Sequence, residues 1–160
     1  MARSLQAGAA DGQALSAPGE EIPVILLVDT DILIDFALDR RPHAAAAGEL
    51  LDTLERRQAT GFIAWHSVAN FYCLVVSKQG ASATRAFLLD RLRFVQVAPT
   101  STDSVRYAAS LPMRDFEDAL QVAAAVACGA NTIATRNVRD YARAPVRATT
   151  PTILLKELGK

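Results

Sequence analysis

The chain has 160 residues, 51% of them apolar and only 6% aromatic, with 17 basic residues balancing 17 acidic ones. That is enough for one domain with a sizeable, alanine-rich core and too little for two ordinary domains. Zero net charge excludes a protein that coats nucleic acid by bulk charge, although a local basic stripe would still hold phosphate.

No apolar run approaches the ~20 residues of a membrane span. No hydrophobic segment follows Arg3, so a secretory signal is not expected and a cytoplasmic location is. Cys73 and Cys128 lie in apolar sequence without metal-ligand spacing. They are expected to be small buried thiols of a reducing compartment, with no support for a disulfide.

Residues 1–22 are rich in Ala, Gly, Ser and Gln and lack sustained periodicity, so a flexible tail is expected there and a single domain over 23–160. Val24–Val28 is a continuous apolar run with branched residues and reads as a buried parallel strand. Asp29-Thr-Asp31 ends it, and a helix over Ile32–Leu38 follows until Pro42 breaks the chain. His43–Gln58 carries Ala47, Leu50, Leu51 and Leu54 at helical spacing. Gly61–Ala64 predicts a second strand. A helix over His66–Lys78 follows, with Ser67 as its cap and Gly80 at its end.

Ser82–Arg91 reads as a helix, Phe94–Val97 as a third strand and Thr102–Leu111 as a helix. Asp115–Cys128 is the strongest helix and stops at Gly129. Thr132–Thr135 is a fourth strand, Val138–Tyr141 a short helical turn and Arg147–Thr149 a fifth strand. A last helix runs from Pro151 to Leu158, with proline in the first turn. Alternating strands and helices imply a three-layer α/β sandwich around a parallel sheet of four to five strands. Its active crevice should lie at the carboxyl ends of the strands.

Acids cluster at those ends. Asp29 leaves the first strand directly, and a carboxylate there is costly unless paired, capped or metal-bound. It would serve as a helix cap, but Asp31 is the better-placed cap, which leaves Asp29 without a purely local job. Asp115 and Asp118 stand three apart on one helical face. A capping pair at the positive end of the helix accounts for Asp115, but less well for Asp118, which shares its face with Val122 and Ala125. Asn137 and Asp140 follow the fourth strand, where a solvated loop is the plain alternative. Carboxylates that converge repel one another, and a hard divalent cation such as Mg²⁺ or Mn²⁺ resolves this with oxygen ligands. Such an ion would polarise a phosphodiester and activate water.

With these residues in place the chain resembles a PIN domain, the fold of many bacterial toxin ribonucleases of the VapC type. The resemblance rests on Val28-Asp-Thr-Asp-Ile-Leu-Ile-Asp35, on Asp118-Ala-Leu-Gln-Val-Ala-Ala-Ala125 and on Gly129-Ala-Asn-Thr-Ile-Ala-Thr135. Arg136-Asn-Val-Arg-Asp-Tyr141 and Thr150-Pro-Thr-Ile-Leu-Leu155 extend it. It covers Val24–Leu158 and is carried by order and spacing rather than by any single motif. It implies metal-dependent RNA hydrolysis with Asp29 and Asp118 as site acids, Asn137 or Asp140 as a further acid or amide, and Thr135 in support. It also implies a homodimer and an antitoxin partner. One position departs: Asn70 stands where a Glu is usual, which resembles a subgroup with the same Asn and an Asp-Phe-Glu-Asp stretch. An amide can offer metal its carbonyl oxygen but no charge, and Asp115 or Glu117 would have to supply the missing one.

A single-stranded RNA needs phosphate contacts. Arg136, Arg139 and Arg114 lie beside the expected site, each otherwise a solvated surface charge. Arg40 and Arg41 are further candidates. His66 follows the second strand and reads as a helix-start residue before it reads as a general base; Phe71 and Tyr72 read as core. Two rival functions remain. One is a catalytically weak PIN scaffold that only binds nucleic acid or protein, which Asn70 favours. The other is a haloacid-dehalogenase-like phosphatase, whose opening pattern Asp29-x-Asp31 imitates but whose later lysine and acidic pair have no counterpart here. No glycine-rich phosphate loop is present.

Overall fold

The computed structural model describes residues 24–159. The tail expected over 1–22 lies outside the described residues. The strands are β1 (Ile25–Val28), β2 (Thr60–Ile63), β3 (Val95–Val97), β4 (Thr132–Ala134) and β5 (Arg147–Thr149). All neighbours pair parallel, in the order β3-β2-β1-β4-β5. The helices are α1 (Thr30–Ala37), α2 (Ala44–Glu55), α3 (Trp65–Gln79), α4 (Ala81–Arg91), α5 (Thr102–Ser110), α6 (Phe116–Cys128) and α7 (Pro151–Glu157). A 3₁₀ turn spans Val138–Tyr141. The expected three-layer sandwich is therefore observed, with all five strands.

Period-two alternation on β1 divides the core. Leu26 and Val28 face one side, with Ile32, Leu50, Leu54, Phe71 and Leu154 from α1, α2, α3 and α7. Leu27 faces the other, with Val122 and Ala125 of α6, Ile133 of β4 and Tyr141. Both faces of β1 are buried, which is why its sequence is uninterruptedly apolar. The small residues of α6 suit its close seat: Ala124 and Ala125 are buried beside Ala64 and Ala98. Gly61 has a similar reason. A Cβ there would stand 2.6 Å from Leu54 Cδ1, so the contact between α2 and β2 needs the missing side chain. Gly129 ends α6 in the left-handed region at φ 69°, where glycine meets no Cβ penalty.

Two expectations need correction. Ser67 does not cap α3. Ala64 holds that position, and Ser67 is buried one turn in, where it bonds to Thr30. Cys73 is exposed and Cys128 half-buried, and both are free, because Cys73 falls on the outer side of α3. Phe71 is core as expected, and Tyr72 packs partly buried against the same cluster.

The sheet order makes the site. The chain steps from β1 outward to β2 and β3, then crosses to the other side of β1 for β4. The switch point therefore lies between β1 and β4, where a crevice opens at the carboxyl ends. Asp29 N–H donates to Ala134 C=O at 3.0 Å, so the residues that follow these two strands, Asp29 and Thr135, emerge side by side.

Candidate active site

Asp29 occupies the N-cap position of α1, with φ −64° and ψ 147°, yet its carboxylate makes no capping bond. This corrects the expectation that Asp31 is the cap. Asp31 lies in the first turn, where Asn137 Nδ2 donates to it at 3.0 Å and Arg136 Nε stands 3.3 Å away. Asp29, only 7% exposed, is held from both sides. Thr135 Oγ1 donates to its Oδ2 at 2.7 Å, and Gln121 Nε2 donates to its Oδ1 at 3.3 Å. The same Gln121 amide reaches Thr30 Oγ1 and Ser67 Oγ, both at 3.1 Å, so one side chain of α6 ties together α1, α3 and the site acid. Thr135 is itself fixed by the N–H of Asn137, which donates to its hydroxyl at 3.0 Å.

The second acid comes from α6. Asp115 is the N-cap of this helix, and its Oδ1 accepts from the N–H groups of Glu117 at 2.7 Å and Asp118 at 3.4 Å. The capping reading of Asp115 is thus observed, and through Oδ1 it holds the start of α6 at the cleft that Asp115 also lines. One turn deeper, Asp118 projects inward, and Tyr141 OH donates to its Oδ1 at 3.3 Å. Asn70 of α3 donates through Nδ2 to Glu117 Oε1 at 2.8 Å. Asn137 and Asp140 complete the rim of a cleft of about 240 Å³. Its walls carry Asp29, Asp31, Asp115, Glu117, Asp118 and Asp140, and among the described residues no Lys or Arg lines it.

This crowding changes the acids. Burial raises the Asp29 pKa from 3.8 to about 6, helped by Asp31, Asp118 and Glu117 and opposed by the Thr135 bond. Asp118 is likewise raised to about 6, first by burial and then by Asp115 and Asp140, against the Tyr141 bond. The Tyr141 hydroxyl is pushed far above its ordinary value by burial and by Asp29 and Asp118, so it remains a donor at any accessible pH.

The basic candidates part company. Arg136 spends its guanidinium inside the fold, with Nη1 at 2.8 Å from Asp35 Oδ1 and Nε beside Asp31. Asp35 is fully buried, and burial raises its pKa against the pull of Arg136. These two ion pairs give Arg136 a fold-holding job. Arg139 and Arg114 are exposed next to the cleft, Arg139 in the 3₁₀ turn and Arg114 just before α6. His66 is 8% exposed with both ring nitrogens unpartnered, and its Nε2 lies 3.9 Å from Glu117. Burial lowers its pKa, with Glu117 opposing.

Sequence reasoning missed Gln121 and Tyr141 as holders of the site acids. A buried polar side chain three residues after Asp118, on an otherwise apolar face, was the available signal for Gln121. Tyr141 had none, since its hydroxyl meets Asp118 only through the β4 connection.

The donor set fits a hard divalent cation: every polar side chain of the cleft offers oxygen, and two acids are held against ionisation by burial and then by neighbouring carboxylates. Among the described residues no three His, Cys, Asp or Glu side chains close into a ready-made cage.

A parallel sheet whose switch point carries an acidic, oxygen-lined cleft is the α/β class to which this chain's fold and cleft assign it. The comparisons place it further. A family model described as PIN domain matches residues 25–139, and the chain belongs to the PIN-domain family, one of nucleases that generally use divalent metals. No curated protein matches. Among solved structures, VapBC2 from Rickettsia felis, bound to a DNA fragment from its promoter, superposes with a TM-score of 0.63. It has 18% identity, covering 79% of this chain and 98% of that one. VapBC-1 from nontypeable Haemophilus influenzae gives a TM-score of 0.58 at 16% identity, covering 81% and 99%. VapC20 of Mycobacterium tuberculosis, a Sarcin-Ricin loop cleaving toxin, gives 0.54 at 16% identity, covering 68% and 86%. At these identities the structural likeness is one of fold. Among the described residues no helix is long and apolar enough to cross a membrane.

Proposed function

We propose that the protein is a Mg²⁺- or Mn²⁺-dependent endoribonuclease that hydrolyses RNA phosphodiester bonds, acting as the toxin of a toxin–antitoxin pair. The observation that carries this reading is the pairing of Asp29 and Asp118 across one cleft. Both acids are held by protein donors and both are raised to about 6. A bound cation would supply Lewis acidity toward the phosphodiester and a more acidic water. The chain's own residues do the rest. Thr135 and Gln121 fix the Asp29 oxygens, Tyr141 fixes Asp118, Asp115 caps the helix that carries Asp118, and the Asn137 N–H fixes Thr135. Arg139 and Arg114 stand outside the cleft, where backbone phosphates of a single strand would lie. The antitoxin partner is supported by the VapBC complexes that share the fold, and a homodimer by the family resemblance. Light scattering that gives a monomer would remove the dimer.

Purified protein incubated with RNA and Mg²⁺ or Mn²⁺ tests the activity. Cleavage should stop in Asp29→Asn and Asp118→Asn, and cleavage that persists unchanged in both variants overturns the assignment. The second reading, a PIN scaffold that binds RNA or protein without cutting, is favoured by Asn70 and by the open ligand arrangement. RNA bound but never cleaved, at any metal concentration, would select it. The phosphatase alternative falls away with the family match, and Asp31, its expected second acid, is turned to Arg136 and Asn137.

A further inference from the structure

Three acids at the start of α6 face the cleft, and the helix treats them differently. Asp115 is consumed by the cap and Asp118 is drawn inward to Tyr141. Glu117 alone reaches across to α3, where Asn70 Nδ2 donates to its Oε1 at 2.8 Å. Asn70 and His66 stand four apart and so share one face of α3. His66 Nε2, buried and without a hydrogen-bond partner, lies 3.9 Å from the same Glu117 oxygen. Glu117 is otherwise exposed, with half of its side chain open to solvent. An exposed glutamate tied down by an amide from a different helix has lost rotamer freedom that the surface alone does not demand. Its other oxygen, Oε2, makes no protein hydrogen bond among the described residues.

We propose that Glu117 is a third metal-facing carboxylate of the cleft and that Asn70 is its positioning residue, so that the pair acts as one unit. Asn70 contributes no charge of its own. It holds the Glu117 carboxylate on the cleft that Asp29 and Asp118 also line and leaves Oε2 for a cation, directly or through one of its waters. A site with an amide on α3 would then draw its third acid from α6, lining the cleft without closing a cage before a cation enters. The unit is fixed by a single hydrogen bond between α3 and α6, and the charge should therefore be exchangeable between its two ends.

This inference rests on the metal-site reading of the cleft, and the test separates the two. Mn²⁺ alone is titrated into the full chain by calorimetry, with no RNA present. Glu117→Gln should weaken Mn²⁺ binding by roughly 10-fold or more, as expected for a group that tunes a metal site. The exchange Asn70→Glu with Glu117→Gln returns a carboxylate to the other end of the pair and should recover most of that loss, which a merely structural contact would not do. Urea unfolding in EDTA should be nearly unchanged in Glu117→Gln, since the side chain is exposed. If the wild type binds Mn²⁺, Asp118→Asn loses it and Glu117→Gln binds like the wild type, the role of Glu117 is refuted and the metal site stands. If Glu117→Gln weakens binding and the exchange does not restore it, Asn70 is not the positioning partner. If the wild type itself takes up no Mn²⁺, both readings fall together.

Discussion

Asp29→Asn should make the metal-free protein more stable at neutral pH while abolishing its metal site. A carboxyl whose pKa moves from 3.8 to about 6 on folding costs about 3 kcal/mol to hold ionised, at about 1.4 kcal/mol per pH unit. The sign follows from proton uptake. Between pH 4 and 6 the folded state binds more protons at Asp29 than the unfolded chain does, so stability falls as pH rises through that window and levels off above it. An uncharged Asn escapes this loss. It offers one acceptor where the carboxylate offers two, so Gln121 or Thr135 loses a partner, which returns about 1 kcal/mol. The net gain at pH 7.5 is then about 2 kcal/mol, or about 4–8 °C in Tm for a chain of this size. Urea unfolding in EDTA measures it, with Trp65, the one tryptophan and half exposed at the start of α3, as the fluorescent probe. The gain should shrink towards pH 4. A variant no more stable than wild type at pH 7.5, or a gain independent of pH, would refute the argument that Asp29 is strained by burial and like charge.

Mn²⁺ affinity in the wild type should fall steeply below about pH 6, because Asp29 and Asp118 must both lose their protons before they can ligate; calorimetry across pH 5–8 reads this directly. Tyr141→Phe removes the donor that favours ionised Asp118, so the pH midpoint of Mn²⁺ binding should move upward while stability changes by less than about 1 kcal/mol. Gln121→Leu leaves Asp29 Oδ1, Thr30 and Ser67 without their shared donor, and RNA cleavage should drop by roughly 10-fold to 100-fold through misplacement of Asp29; full activity in this variant would remove Gln121 from the site. Arg136→Ala strands the buried Asp35 carboxylate with only Arg40 at 4.0 Å, and urea unfolding should show a loss of about 3 kcal/mol. Adding Asp35→Asn should restore part of it, whereas weakened RNA binding at unchanged stability would return Arg136 to the phosphate role.

Much of the fold was legible in the chain because its signals are local. The apolar run before Asp29, the small-residue face of α6 and the breaks at Pro42, Gly80 and Gly129 each act through the backbone or through one buried face. Element boundaries came out within one or two residues, except the end of α2, expected at Gln58 and found three residues earlier at Glu55. The caps were less legible. Asp29 and Asp31 both suit an N-cap by type, and only the neighbouring Thr135 and Gln121 explain why Asp29 holds the position without making the bond. Arg136 and Arg139 look alike in sequence, yet one is drawn inward by Asp35, a fully buried acid whose partner lies about a hundred residues away.

The sequence by itself determined an α/β fold with acids following its strands, since hydrophobic period and strand-end charge are written along the chain. Its resemblance carried the family and the pair Asp29 and Asp118. Only the tertiary structure decided that β4 lies against β1, and with that contact which groups hold the acids. Thr135 and Tyr141 reach Asp29 and Asp118 through the β4 connection, Gln121 reaches Asp29 from α6, and Asn70 bonds Glu117 across from α3. These are contacts between residues far apart in the chain. Their partners are set by the strand order and by how α3 and α6 flank the cleft, and no local pattern encodes which helix will supply the third carboxylate.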